Sequence, residues 1–225
     1  MTEPLVQIAV DVTSAERAVP LVEAALAAGA DWVELGKPLI EFIGLTGLRP
    51  VIERFPGTHF VLDTMILAGA DKYVRAAGEL GAAMVTVSGL APASTVLETI
   101  EAGRRYGVRV VVDLFNCPDV VGRARMFAQA GADLLMVHVG VDQKRLGEAG
   151  DALDLLTEVT SAVSTPVAYA TYDVAEAVAA VRRGARVLVQ GHPLTAAPDP
   201  LPGLAGFVTR VKTTPTVTTA SKESP

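Results

Sequence analysis

The sequence is short of several residue types, and each shortage excludes a class of protein. Its 225 residues include one cysteine, Cys117, which excludes an internal disulfide and fits a reducing compartment. Nineteen Lys and Arg stand against 25 Asp and Glu, and this excess of acid argues against a nucleic-acid-binding surface. No apolar run is long enough to cross a membrane, and no secretory signal is evident at the N-terminus. We therefore expect a cytoplasmic globular protein that binds neither nucleic acid nor membrane.

Hydrophobic residues are abundant, at 50% of the chain, and they fall into short β-branched runs at fairly even spacing. Each run is almost continuously apolar, which is typical of parallel strands that are buried on both faces. The pattern therefore predicts a parallel sheet. The predicted strands cover residues 6–12, 32–36, 59–64, 84–89, 109–115, 134–140, 166–170 and 186–191.

Helical patterns separate these runs and close on the same kind of turn four times, in "AGADW", "LGAAM", "AGADL" and "RGARV". Eight strand–helix units in 225 residues fit a (β/α)8 TIM barrel in the α/β class, as a single domain over residues 1–211. A doubly wound open sheet is the rival fold, but the nucleotide-binding glycine motif is absent after the first strand. The Thr-, Ser- and Pro-rich segment 212–225 is predicted to be disordered.

Polar residues occupy the C-terminal ends of the predicted strands, where barrel enzymes carry their active sites. Acids within apolar strands are costly unless they are paired, and acids gathered on one rim repel one another unless a cation or proton intervenes. A divalent metal is therefore expected, and hard oxygen ligands suit Mg2+ better than Zn2+. The main candidates are Asp11, Glu34, Asp63, Asp113 and His138.

Four segments resemble a known enzyme family along nearly the whole barrel: "VQIAVDV", "DWVELGKPLI", "YGVRVVVDLFNCPD" and "GADLLMVHVGVDQ". They are similar to 3-hexulose-6-phosphate synthase and 3-keto-L-gulonate-6-phosphate decarboxylase, in the orotidine-5′-phosphate decarboxylase superfamily. The "HVGVDQ" stretch is closer to the synthase branch. The resemblance implies a Mg2+-dependent carbon–carbon lyase, with Mn2+ as a possible substitute. Such an enzyme forms a metal-stabilised enediolate of a sugar phosphate, either for aldol addition of formaldehyde or by decarboxylation.

The resemblance also implies roles for individual residues. Glu34 and Asp63 would hold the metal, and Asp63 would also take part in catalysis. Asp11 would hydrogen-bond the substrate, and His138 would be the acid/base partner at the enediolate. The expected substrate-binding positions are Asp113, Ala170, Thr171, Gly191 and His192.

Two departures from the family pattern accompany this resemblance. The family motif after the third strand is D-x-K-x-x-D, whereas this chain has Asp63, Met65 and Ala68, so the lysine and the second acid are missing. Lys37, just past the second strand, is a candidate to supply the missing cation, although a solvated loop lysine is the alternative. In the phosphate site, the family Gly-Gly after the seventh strand is Ala170-Thr171, and Gly191-His192 follows the eighth.

Three functions remain open at this point: a lyase of the synthase type, a divergent enzyme with a different and less phosphorylated substrate, and a non-catalytic ligand-binding barrel. The family also implies a homodimer in which position 68 lies near the subunit boundary. Two apolar rim segments, 37–48 and 64–69, are consistent with such an interface, because exposed patches of this kind are uncommon in monomers. The residues expected to be buried in it are Phe42, Ile43, Ile66 and Leu67.

Overall fold

The strands of this protein form a closed, fully parallel barrel. The computed structural model describes residues 3–146 and 150–216. In that part of the chain eight strands each pair with the next, and β1 pairs with β8 to close the sheet. This confirms the predicted (β/α)8 barrel. The strands are β1 (Leu5–Val10), β2 (Trp32–Leu35), β3 (Phe60–Ile66), β4 (Met84–Ser88), β5 (Arg109–Asp113), β6 (Leu134–Val137), β7 (Val167–Thr171) and β8 (Val187–Gln190).

Helices follow every strand and pack around the outside of the barrel. The connections after β2 and β6 each carry two helices, and a short 3-10 helix at Leu194–Ala196 precedes the last α-helix. Among the described residues, no helix is both long and apolar enough to cross a lipid bilayer. The helices are α1 (Ala15–Ala27), α2 (Lys37–Gly47), α3 (Arg49–Arg54), α4 (Ala70–Glu79), α5 (Ala93–Tyr106), α6 (Val120–Ala130), α7 (Val141–Leu146), α8 (Ala152–Ala162), α9 (Val174–Arg182) and α10 (Leu201–Lys212).

The last helix reaches slightly past the predicted domain boundary at residue 211. It ends at Lys212, whose Nζ pairs with Asp31 Oδ1 at 2.8 Å. Thr214, just beyond it, is buried and donates a hydrogen bond from Oγ1 to the carbonyl of Arg210. The first residues of the segment predicted to be disordered therefore pack on the barrel. Residues 217–225 of that segment lie outside the described residues.

Side chains along each strand alternate between the inside of the barrel and the helical layer. Those that point outward, such as Ile8, Leu62 and Val112, form one core with the helices. Those that point inward form a second core that fills the barrel. This inner core consists of Ala9, Trp32, Val61, Met84, Val111, Leu134, Met136, Ala168, Ala170, Val187 and Val189.

An aromatic stack lies at the N-terminal end of the barrel, opposite the rim that carries the acids. The Trp32 and His59 rings stack with their centroids 5.4 Å apart. The Arg109 guanidinium carbon lies 5.4 Å from the centre of the Trp32 ring, and this guanidinium also contacts His59 Nε2. Burial and the nearby Arg109 charge both lower the pKa of His59, so the neutral ring is favoured. The stack therefore closes this end of the inner core.

We predict that Trp32→Ala lowers the free energy of unfolding by roughly 3–5 kcal/mol, because it empties the space that the largest inner-core ring fills. Urea denaturation followed by circular dichroism measures this without the tryptophan signal. Trp32→Phe keeps a stacking ring and should cost less. Tyr73→Ala, which removes an exposed aromatic side chain on α4, should change stability by at most about 0.5 kcal/mol. A loss at Trp32 no larger than at Tyr73 would contradict the proposed role of the stack.

Candidate active site

Polar side chains continue the inward-facing rows of the inner core at the C-terminal ends of the strands. Asp11 comes two residues after Ala9, and Asp63 comes two residues after Val61. Because strand side chains alternate with a period of two, each of these polar residues faces the same way as the core residue before it. The same spacing relates every predicted acid and the histidine to an inner-core residue. The structure therefore gathers Asp11, Glu34, Asp63, Asp113 and His138 on one rim, where they influence one another electrostatically.

His138 and Asp113 form a hydrogen-bonded pair. His138 Nδ1 lies 3.0 Å from Asp113 Oδ2, and Asp113 Oδ1 accepts a hydrogen bond from the backbone N–H of Phe115 at 2.9 Å. The Phe115 ring lies over the imidazole at 5.0 Å between centroids. Since a carboxylate can only accept here, Nδ1 carries the proton and the other ring nitrogen, Nε2, remains for a substrate proton.

The charge on His138 is favoured by its neighbours. Burial alone lowers the pKa of this imidazole, but the hydrogen bond to Asp113 and the charges of Asp113, Asp63 and Asp11 outweigh it. The net effect raises the pKa of His138 above its ordinary value. The imidazole is therefore well placed to donate or accept a proton near neutral pH.

Asp63 is held by two hydrogen bonds at the rim. Its Oδ1 accepts from the Thr86 hydroxyl at 2.7 Å, and its Oδ2 accepts from the backbone N–H of Lys37 at 3.2 Å. Burial raises the pKa of the Asp63 carboxyl to about 6, and the charges of Asp113 and Asp11 add to this effect while the two hydrogen bonds oppose it. At neutral pH the carboxylate is largely ionised but energetically costly.

Glu34 is, with Asp113, one of the two buried acids at this rim. It is buried inside the barrel, and the Gln7 side-chain amide donates a hydrogen bond to its Oε2. Burial raises the pKa of Glu34 well above its ordinary value, and the charges of Asp63 and Asp11 raise it further. Among the described residues, Gln7 Oε1 is a buried atom with no hydrogen-bond partner. The barrel therefore keeps an acid where a neutral group would be more stable.

Asp11 lies at the mouth of the barrel, between two glycines that leave room for it. A Cβ atom at Gly36 would stand 2.0 Å from Asp11 Oδ1, and one at Gly191 would stand 3.3 Å from Oδ2. Burial raises the pKa of the Asp11 carboxyl above its usual value, and the positive charge of His138 opposes this. Gly36 is thus needed for the position of the carboxylate, whereas a Cβ at Gly191 would meet Ala9 before it met Asp11.

The donor set on this rim has the chemistry that a hard cation needs. Within residues 3–146 and 150–216, no three or more His, Cys, Asp and Glu side chains are arranged to enclose a metal. Mg2+ does not require such a cage, because it keeps several waters and binds through one or two carboxylates together with the substrate. Glu34 and Asp63, on the neighbouring strands β2 and β3, fit that requirement with oxygen ligands alone.

Lys37 does not bring a charge to the acids. Its Nζ pairs with Glu41 one turn further along α2, and both side chains are about half exposed. Only its backbone N–H reaches the site, through Asp63. The predicted catalytic role for the Lys37 side chain is therefore not supported by its position, because an exposed pair at this spacing already satisfies the ammonium group.

The residues predicted to form a phosphate-binding loop after β7 belong to the strand itself. Ala170 and Thr171 are the last two residues of β7, and both pair with β8. The Thr171 hydroxyl contacts Glu176 on α9 and the carbonyl of Asp173, so the side chain points into the helical layer. Thr171 therefore does not line the site with its side chain, whereas Ala170 belongs to the inner core.

Gly191 and His192 follow β8 as expected and lie in the loop at the rim. Gly191 is buried beside Ala9 and Asp11, and His192 is exposed. The side-chain amide of Gln190 donates to the carbonyl of His192 at 2.9 Å. This bond ties the loop to the end of β8.

Three polar groups near the site are absent from the predicted residues. Gln7 contacts Glu34, Thr86 contacts Asp63, and Glu176 accepts hydrogen bonds from Lys144, Tyr169 and Thr171. For the first two, the available signal is a polar residue within an apolar run, in "VQIAV" and "MVTVS". Glu176 lies on a helix and carries no comparable signal.

The exposed apolar surface formed by segments 37–48 and 64–69 is smaller than predicted from the sequence. Phe42 is 71% exposed and Leu67 is 59% exposed, so these two side chains do present apolar area to solvent. Ile43 is half-buried, while Ile66 is buried in the core beneath the helices. The expectation that Ile66 lies in the interface is therefore wrong, because it is an outward-facing residue of β3 that packs against its own barrel.

An eight-stranded parallel barrel with acids and a histidine gathered at the C-terminal rim is the architecture of a barrel enzyme. Residues 4–204 match the sequence model of the Orotidine 5′-phosphate decarboxylase / HUMPS family. The chain belongs to this family and is a carbon–carbon lyase.

Two sequence relatives lie in one branch of the family. The chain is 30% identical over 197 residues to 3-hexulose-6-phosphate synthase of Methylomonas aminofaciens, covering 87% of this chain and 93% of the relative. It is 31% identical over 195 residues to the 3-hexulose-6-phosphate synthase of Mycobacterium gastri, covering 86% and 93% respectively.

Solved structures agree with this placement. A crystal structure of 3-hexulose-6-phosphate synthase superposes with a TM-score of 0.85 at 27% identity, over 92% of this chain and 99% of the other. A crystal structure of KGPDC from Streptococcus mutans superposes with a TM-score of 0.83 at 18% identity, over 94% and 98%. The second likeness shows the shared fold alone.

The raised pKa values predict how stability depends on pH. The pKa of Asp63 is about 6 against an ordinary 3.8, so the folded protein binds more protons than the unfolded chain between these values. The stability associated with protonated Asp63 is therefore present below about pH 4 and is lost as pH rises to about 6, a loss of about 3 kcal/mol. Raised pKa values of Glu34, Asp11 and His138 act with the same sign.

We predict that Glu34→Gln raises stability relative to wild type at pH 8 by roughly 1–3 kcal/mol, and by less at pH 4, because it removes a buried charge and its repulsion of Asp63. Urea denaturation between pH 4 and 8 with a chelator present measures the difference. Glu101→Gln neutralises an exposed glutamate on α5 and should change stability by at most about 0.5 kcal/mol. A Glu34→Gln protein that is less stable than wild type at pH 8 would show that the buried charge is not a cost.

Proposed function

We propose that this protein is a Mg2+-dependent lyase that makes or breaks a carbon–carbon bond in a sugar phosphate, as a hexulose-phosphate synthase does. The observation that carries the proposal is the placement of Glu34 and Asp63 beside the His138–Asp113 pair on one rim. The similarity to two 3-hexulose-6-phosphate synthases at 30% and 31% identity supports the synthase branch. A cytoplasmic location, and the absence of nucleic-acid or membrane partners, remain predictions from the sequence.

Glu34 and Asp63 would hold the cation, with Mn2+ as a substitute for Mg2+. Their raised pKa values support this assignment, because a cation at this rim would favour the ionised carboxylates that burial now disfavours. When bound, the ion supplies positive charge that stabilises an enediolate on the substrate.

His138 is the residue that moves the proton. Asp113 fixes its tautomer through Nδ1, so Nε2 acts as the acid or base toward the substrate. Asp113 therefore acts through the imidazole, and a direct contact with substrate is not needed for its function. Asp11, between Gly36 and Gly191, accepts a hydrogen bond from a substrate hydroxyl.

The phosphate group would lie near the loop after β8. Gly191 and His192 would offer backbone N–H groups there. Ala170 borders the interior close by, whereas the Thr171 side chain is committed to Glu176.

A second candidate function is a lyase of the same family that acts on a different, less phosphorylated substrate. The observations that favour it are the uncharged Met65 and Ala68, which replace the family lysine and second acid after Asp63, and Ala170-Thr171, which replace the family Gly-Gly. Products from a panel of substrates distinguish the two.

We predict that the purified protein with Mg2+ releases formaldehyde from a hexulose 6-phosphate, and that His138→Asn lowers the rate by 10²–10⁴-fold, on the order expected for loss of an acid/base group. His59→Asn is the matched control, because it changes a histidine at the opposite end of the barrel. Its rate should stay within about twofold of wild type.

Other products would change the assignment. Release of CO2 from 3-ketogulonate 6-phosphate would place the protein in the decarboxylase branch. Turnover of unphosphorylated sugars would support the second candidate. If one of these compounds raised the melting temperature of the wild-type protein but none was turned over, the result would support a barrel that binds a ligand without catalysis.

We also propose a homodimer that buries Phe42 and Leu67. These side chains are 71% and 59% exposed, and they lie on α2 and on the segment after β3, both at the rim. Ala68 is exposed next to Leu67, as a residue near a subunit boundary requires. A twofold interface here would remove apolar area from water and cover the mouth of the barrel.

We predict that sedimentation at micromolar concentration gives a dimer, and that Phe42→Asp combined with Leu67→Asp gives folded monomers. The control pair, Leu97→Asp with Met126→Asp, changes two exposed apolar residues on α5 and α6 and should leave the dimer intact. A wild-type monomer at this concentration would exclude the proposed interface.

A further inference from the structure

Strand β3 carries a bulge at the rim, directly at the candidate active site. β3 pairs with β4 at Leu62 and Val85, and pairs again at Ile66 and Val87. Four steps along β3 therefore correspond to two steps along β4, so residues 63–65 stand opposite Thr86 alone. Bulges of this kind often lie next to active sites, where they redirect a side chain.

Thr86 makes three hydrogen bonds that close this bulge. Its hydroxyl donates to Asp63 Oδ1 at 2.7 Å and accepts from the backbone N–H of Met65 at 2.8 Å. Its carbonyl accepts from the Thr64 hydroxyl at 2.7 Å. Because a hydroxyl has one proton and the Met65 N–H can only donate, the Thr86 proton is committed to the Asp63 carboxylate.

These bonds fix both the backbone and the carboxylate. Met65 has a φ of 40°, in the left-handed region that side chains other than glycine rarely adopt, and its N–H is held by Thr86. With Oδ1 bonded to Thr86 and Oδ2 to the backbone of Lys37, the Asp63 carboxylate cannot rotate without losing a hydrogen bond. Thr86 itself is buried, so it reaches the rim only through its neighbours.

We propose that Thr86 is a positioning residue whose hydroxyl orients Asp63 for binding of the divalent cation. This inference rests on the proposed function, in which Asp63 is a cation ligand. Groups that hydrogen-bond a metal ligand set its orientation, and their loss commonly weakens metal binding by 10–100-fold. Thr86 acts on Asp63 directly, so its effect should be seen in the affinity of the protein for the cation.

The test compares Thr86→Val, which keeps the shape but loses the hydroxyl, with Thr86→Ser, which keeps the hydroxyl. Each protein is titrated with Mn2+ alone and again with a hexulose 6-phosphate present, and the electron paramagnetic resonance signal of free Mn2+ gives the dissociation constant. Thr86→Val should bind at least about tenfold more weakly than wild type, and Thr86→Ser should stay within about threefold.

Thr99→Val is the matched control, because Thr99 is also a buried threonine whose hydroxyl bonds one backbone carbonyl, that of Thr95, within α5. Its stability should fall while its Mn2+ affinity stays unchanged. Thr86→Ala provides a second comparison if Thr86→Val does not fold, since it differs from Thr86→Ser only by the hydroxyl.

The outcomes of this titration separate the inference from the proposed function. The positioning role is supported if the wild type binds Mn2+, Thr86→Val or Thr86→Ala binds it weakly, and Thr86→Ser binds it nearly as well as the wild type. The positioning role is overturned, and the cation site remains, if the variants without a hydroxyl bind Mn2+ as tightly as the wild type. The same conclusion follows if Thr86→Ser binds Mn2+ as weakly as those variants. Absence of Mn2+ binding in the wild type, both alone and with a hexulose 6-phosphate present, overturns both.

Discussion

Repulsion between carboxylates that are gathered at the mouth of the barrel, two of them buried, is the constraint on which the rest of this site depends. Asp11, Glu34, Asp63 and Asp113 face one another because side chains alternate along neighbouring parallel strands. No pair of them can be ionised without cost unless hydrogen bonds or positive charge compensate. The partners found at the rim, which are an amide, a hydroxyl, a backbone N–H and an imidazole, each offset part of this repulsion.

The barrel tolerates this cost because stability and chemistry lie at opposite ends of the strands. The inner core and the stack of Trp32, His59 and Arg109 fill the N-terminal end with apolar and aromatic contacts. The outward-facing rows pack on the helices along the whole length of the strands. The C-terminal rim is therefore free to hold groups that weaken the fold, as expected when a site is built on a rigid scaffold.

The fold was predictable because parallel strands that are buried on both faces appear as apolar runs in the sequence. The position of Asp11, Asp63 and His138 at the C-terminal ends of these runs then assigned them to one rim. Details that depend on partners distant in sequence were not predictable. Whether Thr171 belongs to a strand or a loop is decided by its pairing with β8. The polar residue within "MVTVS" is only a weak signal, because threonine is common in strands, and it does not identify Asp63 as the partner of Thr86.

Because of the bulge in β3, the groups that hold the Asp63 carboxylate are different from the side chains that follow it in the sequence. The supports are the hydroxyl of Thr86 and a backbone N–H after β2, and neither depends on the side chains at positions 65 and 68. Met65 contributes its backbone N–H to the bulge. Those two positions can therefore change in evolution without moving the carboxylate. Related proteins with the same strands can therefore differ in substrate specificity while the position of the Asp63 carboxylate is kept.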